Sequence, residues 1–322
     1  MSGLGRFAVG ALAAGAGAAA WGAHEAARQF RVREHSVPVL PAGTQDVRVL
    51  HLSDFHLVPG QRARAGTIRS LVELEPDLVV FTGDALGGAD SLPVVLDALD
   101  PLLDVPGVFV FGSNDYFGPS FRNPFTYFFS PTSGRPERPV THLPAGELAD
   151  ALGRRGWLNL NNARGRLPVA GHDVTFVGVD DPHRSFDAFP ADDGERGLLH
   201  VGVAHAPYAR ILDEFLMDGC QLAFAGHTHG GQVCVPWYGA LVTNCDMPRW
   251  RASGLQGWPA LRPDGQAISP RRPLAPIPAE LGAGGASRMW VNISAGIGTS
   301  PFAPVRFACP PEVSLLTLRA ER

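Results

Sequence analysis

From Val47 onward, short apolar runs alternate with stretches whose apolar residues recur at helical spacing. "VRVLHL" (47–52), "LVVFT" (78–82) and "GVFVF" (107–111) are runs of the kind that form strands buried on both faces. Between the first two, Ile68, Leu71 and Val72 fall on one side of a helix. Between the next two, Ser91 is a candidate N-cap for a helix carrying Val95, Leu96, Leu99 and Leu103. Strand, helix, strand in this order predicts parallel pairing through right-handed crossovers. Apolar runs at 173–179, 198–204, 221–225, 232–236, 289–294 and 313–318 predict further strands. A helix over 208–218 carries Ile211, Leu212, Phe215 and Leu216 and stops at Gly219. The class is therefore α/β. Residues 117–145 and 246–286, rich in Pro and aromatic or Gly and Arg, predict no regular element.

In open α/β sheets function sits at the carboxyl ends of the strands, and here those ends are polar. Leu52 leads into "SDFH", Thr82 into "GDA" and Phe111 into "GSND"; later, "VAHAP" and "FAGHTHGGQ" follow two further strands. The donors delivered are Asp54, His56, Asp84, His205, His227 and His229, with Asn114 as a seventh. One ion uses four to six ligands, so the set suffices for two. Two divalent ions about 3.5–4 Å apart need a bridging carboxylate to offset their repulsion, and Asp84 lies between two donor-bearing strands. Mixed imidazole and carboxylate donors suit Mn, Fe, Zn or Co. Any one of these residues alone would be ordinary turn chemistry or a packed histidine, and His51, His142, His172 and His200 are read that way. Five polar clusters, each directly after a strand, are not ordinary.

Together these residues resemble the calcineurin-like metallophosphoesterases, whose pattern of D-x-H, G-D, G-N-H-[D/E], a lone His and G-H-x-H is matched in order by Asp54-Phe55-His56, Gly83-Asp84, Gly112-Ser113-Asn114-Asp115, His205 and Gly226-His227-Thr228-His229. The resemblance implies a four-layer sandwich, two facing mixed β-sheets flanked by helices, with a dinuclear centre at one edge. It implies one metal on Asp54, His56 and His229, and a second on His205, His227 and an amide oxygen. Asp84 would be shared, and Asp84, Asn114 and His205 would be the catalytic residues. A hydroxide held by the metals would attack phosphorus in line. "GVDDP" (178–182), "HGGQ" (229–232) and the ending 294–318 are similar to the membrane-associated bacterial branch, which includes UDP-diacylglucosamine-hydrolase-like enzymes.

One loop departs from the pattern. Without a gap, Ser113 takes the place of the family's ligating Asn and Asn114 that of its His. Either Ser113 ligates weakly or the loop shifts so that Asn114 reaches the second metal; the shift is preferred because an amide oxygen is the better neutral donor. The usual general acid is missing either way. Asp180, Asp181 and His183 are candidates to orient ligands or supply that proton, Asp115 to hold or cap the loop, and Arg306 to meet substrate phosphate.

The formal net charge of −4 and pI near 6.2 argue against a polymeric nucleic-acid partner. Cys220, Cys234, Cys245 and Cys309 show no metal-binding spacing. Residues 7–23 carry no charge, so residues 1–30 are expected to be a membrane anchor or signal segment, with a surface Ala-rich helix as the alternative. Residues 31–46 would then be a linker, and 47–322 the catalytic domain. Phe117, Phe121, Phe125, Tyr127, Phe128 and Phe129 crowd beside the site loop. The function expected is hydrolysis of a phosphodiester, pyrophosphate or phosphomonoester of a small or lipid molecule, with membrane association through the N-terminal segment. The alternatives are a soluble nucleotide phosphodiesterase or nuclease, and a metal-binding protein without turnover.

Overall fold

The computed structural model describes residues 3–119, 141–259 and 289–320. The chain opens with helix α1 (Gly3–Arg28) and strand β1 (Arg31–Leu40). Strands β2 (Val47–Leu52), β3 (Leu78–Phe81), β4 (Gly107–Phe109) and β5 (Leu158–Asn159) follow. Between them run helices α2 (Arg62–Ser70), α3 (Leu92–Leu99), α4 (Ser113–Tyr116) and α5 (Ala145–Arg154). The second half supplies β6 (Ala163–Val169), β7 (His172–Gly178), β8 (Leu199–Val203), α6 (Ala209–Met217) and β9 (Leu222–Ala225). A small hairpin, β10 (Cys234–Val235) and β11 (Gly239–Ala240), precedes β12 (Gly254–Trp258), β13 (Met289–Ile293) and β14 (Glu312–Ala320).

Two six-stranded mixed sheets result, ordered β1-β14-β2-β3-β4-β5 and β12-β13-β9-β8-β7-β6. Strands β2 to β5 are parallel, as expected of buried apolar runs joined by helices. Val49, Val80, Val108 and Leu316 of the first sheet join Val201, Phe176, Leu222 and Phe224 of the second in the layer between them. Burying such a side chain is worth roughly 1.5–3 kcal/mol, so this layer is a principal source of cohesion. Ile68, Val95, Leu99, Leu148 and Leu152 of α2, α3 and α5 cover the outer face of the first sheet. Ile211, Leu212 and Phe215 of α6 cover that of the second. The fold is the two-sheet sandwich flanked by helices that the resemblance implied.

The register brings the strand tips level. Leu52 stands beside Phe81, and Phe81 beside Phe109. Across the sandwich Val203 stands beside Phe224. The polar residues after these positions therefore emerge along one edge.

Four expectations need correction. Residues 31–40, assigned to a linker, form an edge strand parallel to β14, with Val37, Val39 and Leu40 buried and Arg33 paired to Glu312. Pro38 is tolerated there because an edge strand needs no donor on its open side. Ser91 makes no capping hydrogen bond; α3 is entered through a short 3-10 turn, with a proline in its first turn. The 246–286 stretch contains β12. Arg306 is fully buried instead of facing a substrate. Phe121, Phe125, Tyr127, Phe128 and Phe129 lie outside the described residues. Phe117 packs in a local cluster with Tyr116, His142 and Phe186. The four cysteines are free.

Candidate metal centre

Three donors from β2 and the second sheet converge first. His56 Nε2 lies 3.1 Å from His229 Nε2, and His229 Nε2 lies 3.5 Å from Asp54 Oδ1. Asp84 Oδ2 stands 3.5 Å from His56 Nε2 and 3.6 Å from His205 Nε2, so it lies between two groups of imidazoles. His227 Nδ1 completes the second group, 3.3 Å from His205 Nε2. Asn114, not Ser113, comes to Asp84: its backbone N–H and side-chain amide each donate to that carboxylate at 2.8 Å. All seven sequence-derived donors thus meet at one edge, in the order the strands predicted.

The chain holds these side chains in unusual backbone. Asp54, His56, Asp84, His227 and His229 all have positive φ, between 44° and 68°. Each such non-glycine residue costs of order 1–3 kcal/mol, so the surroundings must hold it there. Asp54 Oδ2 accepts from the Ser53 hydroxyl at 2.6 Å and from the His227 N–H at 3.0 Å, tying the two sheets together at the site. The space for this contact exists because residue 226 is glycine: a Cβ there would overlap the Ser53 hydroxyl and lie 2.6 Å from Asp54 Oδ2.

Asp115 is the side chain whose weight the sequence understated. Fully buried, it accepts from the backbone N–H groups of Asp84 at 2.7 Å, Ala85 at 2.8 Å and Gly112 at 3.0 Å, with Leu86 at 3.4 Å. It binds the turn after β3 to the turn after β4, and so sets where Asp84 points. Burial, reinforced by the Asp84 charge, pushes its carboxyl up to about 7 against these donors. The motif's fourth position permits Asp or Glu, which was the available signal.

The electrostatics suit cations. Burial lowers His56, His227 and His229, leaving neutral imidazoles. Burial opposes ionisation of Asp84, yet the imidazoles of His205 and His56 and the Asn114 hydrogen bonds hold it below the usual carboxylate range. Asp54 Oδ1 and His56 Nδ1 are buried without a hydrogen-bond partner. An unpaired buried acceptor is costly, and Asp54 Oδ1 faces His229 Nε2 within the first group. Two donor groups, Asp54 with His56 and His229, and Asp54 with Asp84 and His205, have ligand atoms close enough to hold an ion. The residues fit metal.

His205 differs. Burial would lower it, but Asp84, Asp181, Asp54 and the Thr82 carbonyl together raise it to about 9. Ligation needs the neutral ring, so metal uptake at neutral pH should release a proton. Affinity should then fall about tenfold per pH unit below that value. Calorimetry in buffers of different ionisation enthalpy checks this, and proton-independent uptake between pH 7 and 8 would contradict it.

Of the histidines set aside from the sequence, His51 bonds Thr82 and Asn292, and His200 bonds Thr175 and Asp218. The His183 ring lies tilted against that of His227, with centroids 4.4 Å apart, and its Nδ1 lies 3.0 Å from the Tyr208 hydroxyl. Asp180 accepts from the Tyr116 hydroxyl at 2.9 Å, and Asp181 from the His183 N–H.

Such a constellation on facing strand ends belongs to metal-dependent hydrolysis of phosphoester bonds. The chain is a member of the calcineurin-like phosphoesterase family, which matches it over residues 47–231, more than half its length. It is 23% identical over 326 residues to the uncharacterized metallophosphoesterase YkuE of Bacillus subtilis, covering 98% of this chain and 95% of that protein. It is also 23% identical over 214 residues to the uncharacterized protein YpbG of the same organism, covering 64% and 71%. Among solved structures, the NAD nucleotidase NadN of Haemophilus influenzae overlaps 79% of this chain and 46% of its own, at 11% identity and a TM-score of 0.39.

Proposed function

We propose that this phosphoesterase works at a membrane surface, on a phosphodiester, pyrophosphate or phosphomonoester of an amphiphile. The observation that carries the reading is the apolar rim beside His229. At the tip of the β10–β11 hairpin Trp237 is wholly exposed and Tyr238 is 57% exposed. Val233, Val235 and Phe302 add exposed apolar surface. Gln232 donates to the carbonyls of Ala303 and Val305, joining the hairpin's base to the Phe302 loop. Exposed Trp and Tyr favour the headgroup layer of a bilayer. Arg249 lies 4.8 Å over the Tyr238 ring, a cation beside the aromatic tip. The charge-free Phe7–Ala23 segment of α1, with Phe7 and Trp21 exposed, supports the same reading. No helix among the described residues is long and apolar enough to cross a membrane, so the contact we propose is interfacial.

In this reading Asp54, His56 and His229 would hold one divalent ion, and His205, His227 and Asn114 the other, with Asp84 available to both. Bound ions supply Lewis acidity and an activated water. Mn, Fe, Zn or Co suits the donors. Asp115 and Asn114 fix the Asp84 carboxylate, and Ser53 fixes that of Asp54. With no imidazole at position 114, His183 is the proton source we assign to the leaving oxygen.

The double variant Trp237→Ala, Tyr238→Ala tests the membrane reading. Its binding to anionic phospholipid vesicles and its turnover of a phospholipid in them should fall about tenfold or more, the scale of losing one to two buried aromatic contacts. Turnover of a soluble aryl phosphodiester should stay within about twofold. Vesicle flotation and phosphate release check this. Equal rates for both proteins on vesicles, or a preference for free nucleotides, would overturn it.

A further inference from the structure

Arg306 is the largest fully buried side chain among the described residues, and no carboxylate among them pairs with it. Its guanidinium is instead wrapped in carbonyls. Nη2 reaches those of Ala295 at 2.6 Å, Gly298 at 2.7 Å and Gly296 at 3.1 Å, and Nη1 reaches those of Cys309 at 3.3 Å and His229 at 3.4 Å. Nη2 also lies 3.2 Å from His229 Nδ1, on the far side of the ring from the candidate metal. The same loop touches another donor of that group, since the Gly298 N–H donates to the Asp54 carbonyl at 2.6 Å. Arg306 is therefore a hub joining His229 to the segment that wraps Asp54.

The hub is itself held from outside the matched family region. The Gly22 carbonyl of α1 accepts from the Arg306 N–H at 2.9 Å. Three residues on, Glu25 is 4% exposed, and its carboxylate accepts from the Cys309 N–H at 2.6 Å and the Ala308 N–H at 3.1 Å. Ala308 has positive φ, 49°, a conformation alanine does not hold unaided. A residue of that kind needs a clamp, and Glu25 is one. Trp21 fixes the clamp in turn, donating its indole N–H to Glu25 at 3.0 Å.

We propose that the last turns of α1 are a positioning element for the ion on Asp54, His56 and His229. Glu25 and Gly22 set the loop, the loop sets Arg306, and Arg306 holds the His229 main chain by donating to its carbonyl. The helix read from the sequence as a membrane anchor or signal segment is thus part of the support of the site. The inference rests on the metal reading of that site, and residues that orient a ligand typically change metal affinity 10–100-fold.

The test is equilibrium dialysis of the full chain against Mn and against Zn, with unfolding midpoints measured beside it. Wild type should bind two ions. Glu25→Ala should weaken one of them about tenfold or more, leave the other within about twofold, and leave a cooperative unfolding transition. Glu25→Gln, which keeps an amide oxygen to accept one N–H, should fall between. Arg306→Met should act on the same ion more strongly, and Arg306→Lys should recover part of the loss. The Glu25 variants carry the test if Arg306→Met does not fold. Unchanged affinities in folded Glu25→Ala, or equal weakening of both ions, would overturn the proposal. No metal in wild type would instead overturn the metal reading, and this proposal with it.

Discussion

Asp84→Asn should lower turnover by at least about 10³-fold and reduce occupancy of both metal positions. This carboxylate faces His56 on one side and His205 on the other, at 3.5 and 3.6 Å. The substitution keeps shape and removes charge. It also replaces one acceptor by an N–H where Asn114 now donates to both oxygens, so at least one of those contacts becomes a clash of donors. A shared ligand is worth several kcal/mol of charge stabilisation, and each 1.36 kcal/mol is tenfold in rate. Elemental analysis together with steady-state rates on an aryl phosphodiester measures the effect. A variant holding two ions with rates within tenfold of wild type would show that Asp84 is not the bridge.

Asp115→Ala should cost about 3–4 kcal/mol of stability, the upper range for single substitutions, because it strands several buried donors at once. The N–H groups of Asp84, Ala85 and Gly112 lose their acceptor, and water has little route to a fully buried position. The turns after β3 and β4 are then free to part, so Asp84 should lose its aim and activity should fall with stability. Asp115→Asn, which keeps one oxygen, should lose about half as much. Urea unfolding read by circular dichroism gives both numbers. A loss below about 1 kcal/mol for the alanine variant would mean that water replaces the carboxylate.

What could be read from the chain follows from where each signal resides. β2, β3 and β8 announce themselves because their runs are mostly apolar and buried, and Asp54, Asp84 and His205 stand out because each follows such a run within a few residues. β1 escaped notice because an edge strand keeps polar residues outward, as Arg31, Arg33 and Glu34 do, and even accepts Pro38. β12, "GLQGW", is too short and glycine-rich to show periodicity. Asn114 is preferred to Ser113 on donor chemistry alone, and in the structure Asn114 donates to Asp84. That Glu25 would brace the loop carrying Arg306 could not be foreseen, since the contact depends on two distant segments being folded together. Asp115 was ambiguous because a carboxylate capping a short helix and one binding two turns look the same in sequence.

The edge strand that escaped notice has a consequence for how the fold assembles. β14 lies between β1 and β2, pairing Glu312 with Arg31 and Ser314 with His51, so the first sheet is closed by segments far apart in the chain. Such distant pairing is slow to find. Until β14 docks, the edge of β2 that faces it, in the strand leading to Asp54 and His56, has no partner. Closure of the sheet and completion of the site thus become a single late event in folding.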